Sequence, residues 1–125
     1  MTGRYDGGMN SLERELVWNG YEDYTGLWDA FLTVRDSAPG ERSTQEAREL
    51  ARQLIESFLA RGWVELFISR GPVGEAVYEL VPAADQSRVL DSDSSWSWEA
   101  GDPLVWYATT DEGHSAYREA TDPPS

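Results

Sequence analysis

The apolar positions of this chain fall into two periods, and the switches between them lay out its elements. Leu12, Leu16 and Val17 predict a short helix that ends before NGYEDYTG (19–26), a stretch dense in turn formers. Leu27, Phe31 and Val34, widened by Trp28 and Leu32, predict a second helix within 27–38, stopped at Pro39 and Gly40. The third helix is the most fully specified. Ser43 and Glu46 form an S-x-x-E capping box, in which each side chain can satisfy an orphan amide of the first turn. Ala47, Leu50, Ala51, Leu54, Ile55, Phe58 and Leu59 make a broad apolar stripe, and Gly62 supplies a left-handed stop. Arg52 and Glu56, four apart on the outer side, are placed to pair.

The period then drops to two. Val64, Leu66 and Ile68 alternate with Trp63, Glu65 and Phe67, RGPVGE turns the chain, and AVYELV (76–81) returns as the second half of a β-hairpin. Residues 82–102 are polar and rich in Asp and Ser, with a short helix near 83–90. PLVWYAT (103–109) predicts a third strand, and TDEGHSAYREA a final helix from about Asp111. Glycines near the start and TDPPS at the end predict flexible tails at 1–9 and 121–125 around a single domain, 10–120.

This order resembles the winged-helix plan of MarR-like and PadR-like regulators. LIESFLARGWVELFIS is similar to a recognition helix entering the first wing strand. VWYATTDEGHSAY resembles the return strand and T-x-x-G helix start of those families, with Thr110 and Gly113 in the matching places. The likeness covers roughly residues 25–70 and 103–118. It implies an α+β winged-helix-type domain of three to four helices with a small antiparallel sheet, here carrying an acidic insertion. It also implies that Thr44, Gln45, Arg48 and Arg52 face a major groove, with Arg70 as the contact of the wing.

Charge changes the picture. The 125 residues carry ten basic groups, all arginine, against 23 acids, for a net −13. By thirds, 1–34 sums to −4 (two Arg, six acids), 35–70 to zero (six and six), and 71–125 to −9 (two and eleven). The helix and hairpin that resemble a DNA reader are therefore the neutral part of an acidic protein. A competent DNA binder typically neutralises about six or more phosphates, and the acids beside these arginines make that term poor. An acidic surface steers instead toward basic partners. With no cysteine there is no disulfide and no thiolate zinc site. No apolar run approaches the ~20 residues of a membrane span, and the first residues lack a signal-peptide core, so a cytoplasmic setting is expected.

Three constellations could carry chemistry. His114 is the sole histidine, but no nucleophile-elbow motif accompanies it, and a helix-surface role is the simpler reading. Asp91, Asp93, Ser95, Ser97, Glu99 and Asp102 have the spacing of calcium-loop ligands. Trp96, however, stands where that loop needs glycine, and Asp102 where it needs a bidentate glutamate. No metal or cofactor is expected. Trp96 and Trp98, two apart in an acidic segment, either pin that segment to the domain or anchor a partner.

The leading expectation is a non-catalytic regulator or inhibitor that binds a basic protein through Asp91, Asp93, Trp96, Trp98, Glu99 and Asp102. The rival is a DNA-binding transcriptional regulator, dimeric, using Thr44, Gln45, Arg48, Arg52 and Arg70. A small hydrolase comes last.

Overall fold

The protein is described by a computed structural model over residues 9–37, 40, 42–70, 77–97 and 104–121. Asn10 caps α1 (Ser11–Glu22) with a capping box: its side chain accepts from the Glu13 amide at 2.8 Å, and Glu13 accepts from the Asn10 amide at 2.9 Å. The expected stop before residues 19–26 does not occur, because α1 continues through Asn19, Gly20, Tyr21 and Glu22. The reason is tertiary. A Cβ on Gly20 would lie 2.6 Å from the Tyr107 ring, so the glycine lets the helix lie directly against a strand. The Tyr107 hydroxyl donates to the Leu16 carbonyl at 2.6 Å, and the Thr109 hydroxyl to that of Val17 at 2.7 Å. Met9, expected in the tail, is buried, and the last helix reaches Thr121.

After α1 a two-residue strand, β1 (Thr25–Gly26), leads into α2 (Leu27–Ser37). The third helix, α3 (Thr44–Ala60), forms as its sequence dictates. Ser43 and Glu46 complete the box, Ala47, Ala51, Ile55 and Phe58 are buried, and Gly62 takes φ +75° at the stop. That left-handed turn delivers the chain into β2 (Val64–Arg70), which pairs antiparallel with β3 (Val77–Leu80), as the hairpin pattern predicts.

A 3-10 turn (Ala83–Asp85), the six-residue α4 (Gln86–Asp91) and a second 3-10 turn (Asp93–Trp96) follow. β4 (Leu104–Thr109) then enters the sheet, and α5 (Asp111–Thr121) ends the described chain. Among the described residues the result is an α+β domain with five α-helices, where the winged-helix resemblance implied three to four, and a four-stranded antiparallel sheet in the order β1-β4-β2-β3. β4 lies between β1 and β2, so the late strand is central and β3 is at the edge.

Helices cover one face of this sheet. Leu16, Val17, Leu27, Ala30, Val34, Ile55 and Phe58 pack with Val64, Leu66, Val105 and Tyr107 in a single core. Burial holds the Tyr107 phenol well above the usual tyrosine range, with Asp29 and Glu15 pushing the same way. Among the described residues no buried side-chain polar atom lacks a hydrogen-bond partner.

Candidate interaction surfaces

The segment 91–97 is where the leading expectation placed a partner site, and it is folded onto the domain. Leu90 and Trp96 enter the core, and the Trp96 indole Nε1 donates to the Leu90 carbonyl at 2.9 Å. Trp96 is only 6% exposed, which corrects its assignment as a partner anchor. A large ring held in a 3-10 turn is the device by which a polar segment with few other apolar groups is fixed in place. Trp98, Glu99, Asp102 and the side chain of Arg70 lie outside the described residues.

Anchoring Trp96 brings its acidic neighbours over α3. Arg48 Nη2 meets Asp93 Oδ1 at 2.6 Å. Arg52 is held by Glu49 at 2.7 Å and Glu56 at 3.5 Å, with Asp91 at 3.9 Å. The expected Arg52–Glu56 pair forms, but Glu49 makes the closer contact. Hydrogen bonding to Glu49 raises the Arg52 guanidinium, and the same bond holds the Glu49 carboxyl below its usual range. A polar cleft of about 220 Å³ is lined by Gln45, Arg48, Glu49, Arg52, Asp91 and Asp93. Thr44 and Gln45, the other proposed base readers, are exposed on the first turn of α3.

The calcium-loop positions among the described residues do not converge. Asp91 and Asp93 turn to arginines, and Ser95 is buried. Among the described residues no group of three or more His, Cys, Asp or Glu side chains is placed to hold a metal. His114 stacks on Tyr21 with ring centroids 3.8 Å apart and planes 1° from parallel. Among the described residues its ring makes no hydrogen bond to a serine or carboxylate, so the geometry of a triad is not formed. The T-x-x-G stretch serves as a joint. The Thr110 hydroxyl donates to the Gly62 carbonyl at 2.6 Å and accepts from the Gly113 amide at 3.0 Å. A Cβ on Gly113 would collide with the Trp63 carbonyl, so the first turn of α5 needs a residue without one at this position.

The outer face of the sheet carries a surface that sequence reasoning missed. Trp106 and Phe67 are cross-strand partners on β4 and β2. Over them Tyr24 and Tyr78, from opposite edges of the sheet, stack ring on ring at 4.0 Å and 5°. Tyr24 meets Phe67 edge-on at 5.1 Å, Tyr78 meets Trp106 at 5.4 Å, and Trp28 meets Trp106 at 5.0 Å. The Trp106 indole donates to the buried Ser69 hydroxyl at 2.7 Å, which satisfies the polar handle of a ring on an otherwise apolar face. Tyr24 and Tyr78 are each 37% exposed, and on the same face Leu80 is 55% exposed. The signal was present in the alternation of β2 and β4. Its meaning depends on Tyr24, which lies in a stretch that reads as turn. No protein-family model, curated protein or solved structure matches this chain.

Proposed function

We propose that this domain is a winged-helix-type scaffold turned to protein recognition, a non-catalytic regulator or inhibitor of a basic protein. The scaffold reading is supported by the order α1, α2, capped α3, β2 through a left-handed glycine, and a late β4 into a helix joined by Thr110 and Gly113. One observation carries the functional part. On the outer side of α3, Arg48 and Arg52 stand among Glu49, Glu56, Asp91 and Asp93, two cations among four acids. A phosphate approaching this helix meets a net negative surface whose arginines already have partners. Displacing exposed ion pairs costs only about 0–1 kcal/mol each, but the carboxylates stay in place and repel the same phosphates.

The rival, a DNA-binding transcriptional regulator, draws on the exposed Thr44 and Gln45 at the first turn of α3. A titration of the protein against a random pool of DNA duplexes at low salt separates the two. The protein-recognition reading expects no binding there, and nuclease-treated affinity capture that recovers a basic protein. Binding with a steep inverse dependence on salt, weakened by Arg48→Ala with Arg52→Ala, overturns it in favour of DNA.

A further inference from the structure

We propose that the edge of β3 facing away from β2 takes an extended, Arg- or Lys-rich segment of the basic partner as an added strand, whose side chains meet the aromatic outer face. This rests on the reading above that the partner is basic.

Three observations combine. First, among the described elements β3 pairs only with β2. The Val81 amide donates to the Leu66 carbonyl at 2.8 Å, which sets the phase of the ladder. In an antiparallel pair, residues that exchange hydrogen bonds alternate with residues that do not. With Phe67 opposite Leu80 and Ser69 opposite Tyr78, the bonded rows fall on Val81, Glu79 and Val77. The N–H and C=O groups of Tyr78 and Leu80 therefore point away from β2, toward the open edge.

Second, three of the four side chains of β3 are apolar or aromatic, with Glu79 its one charge. All four residues of β3 are exposed, and Val77 and Leu80 leave more than half of their surface to solvent. Proteins ordinarily blunt such edges with charge, proline or a bulge, because an open row of amides is a template for another strand.

Third, charge selects the occupant. A second copy would bring one chain of net −13 against another. Glu65 shares the outer face with Phe67, Asp23 precedes Tyr24, and neither acid has an ion-pair partner among the described residues. Arginine fits twice over, because its guanidinium can pair with Glu65 and can also lie on an exposed tyrosine ring. Strand addition of this kind takes affinity from the main chain and specificity from alternate side chains.

The test uses the full chain and a short, end-blocked peptide of alternating Arg and Val at low salt, read by amide hydrogen exchange and tryptophan fluorescence. Binding is expected to slow exchange at the Tyr78 and Leu80 amides. N-methylation of the peptide on one edge should weaken binding by about tenfold or more, and an alternating Glu and Val peptide should not bind. Leu80→Pro should bring a similar loss, since the amide it removes is not used by β2. Equal binding by the N-methylated peptide, or unchanged exchange at Tyr78 and Leu80 in the complex, overturns strand addition and leaves the basic-partner reading standing. Equal binding of the acidic peptide overturns the charge argument. A concentration-dependent dimer that Leu80→Pro abolishes assigns the edge to a second copy and overturns the proposal. Failure of every peptide overturns the proposal as well, and the basic-partner reading falls with it only if nuclease-treated capture also recovers no basic protein.

Discussion

On the helix side of the sheet, Leu66 and Tyr107 have no exposed surface, and the Tyr107 hydroxyl reaches the Leu16 carbonyl of α1. On the other side, the same two strands present Phe67 and Trp106, where Trp28 at the start of α2 meets Trp106 edge-on and Tyr24 and Tyr78 close over the pair. The first face is a packed interior, where volume and hydrogen-bond partners are fixed. The second is a layer of rings that cover one another yet leave more than a third of each tyrosine in water. Substitutions should therefore be read as stability on the inner face and as recognition on the outer one.

The largest effect is expected at the centre of the inner face. Tyr107→Ala removes a fully buried ring and should cost about 3–5 kcal/mol in urea unfolding. A loss well under that would mean the inner face is as adaptable as the outer. Tyr107→Phe keeps the ring and removes one bond, for about 1 kcal/mol. The same pair should differ in alkali. The native phenol is raised above its usual value of 10.0, so the stability of the unsubstituted protein is full below that value. It falls as pH rises further, because the unfolded tyrosine ionises while the buried one keeps its proton. The Phe variant should lose less stability over that alkaline range.

The outer face should respond more weakly. A double-mutant cycle of Tyr24→Ala and Tyr78→Ala should return a coupling near the lower end of roughly 0.5–1.5 kcal/mol. Zero coupling would mean that the stacked pair does not hold together in solution, and the two-face contrast would fail there. Smallest of all is the clasp on α3. Arg48→Ala should change stability by less than about 1 kcal/mol, because Asp93 is 88% exposed. A larger loss would make the acidic segment part of the fold's support. The Ser43–Glu46 box adds an acid-side signature. Hydrogen bonds to the Ser43 amide and hydroxyl hold the Glu46 carboxyl below 4.5, so its contribution is full above that value and fades as pH falls through the lowered one.

Local signals were legible wherever local forces decide. The capping box of α3, its apolar stripe, its stop at Gly62 and the hairpin formed as written, because each depends on residues within a few positions of one another. The reach of α1 was not legible: Asn19 and Gly20 are weak helix residues, and a strand almost ninety positions later overrides that preference. Trp96 and Trp98 read as pins of their segment before they read as anchors for a partner, and only the packing of Trp96 beside Leu90 separated the two for the residue described.

What the amino-acid sequence determined by itself was the set of main helices, the hairpin and the acidity, since period, caps and charge are properties of neighbours along the chain. The tertiary structure alone decided three things. β4 went between β1 and β2, Asp91 and Asp93 came to face Arg52 and Arg48, and Tyr24 met Tyr78 across the whole width of the sheet. Each of these joins residues 39 or more positions apart or inserts a strand out of sequence order. Such contacts form only once burial of the shared core has repaid the entropy of closing the intervening chain.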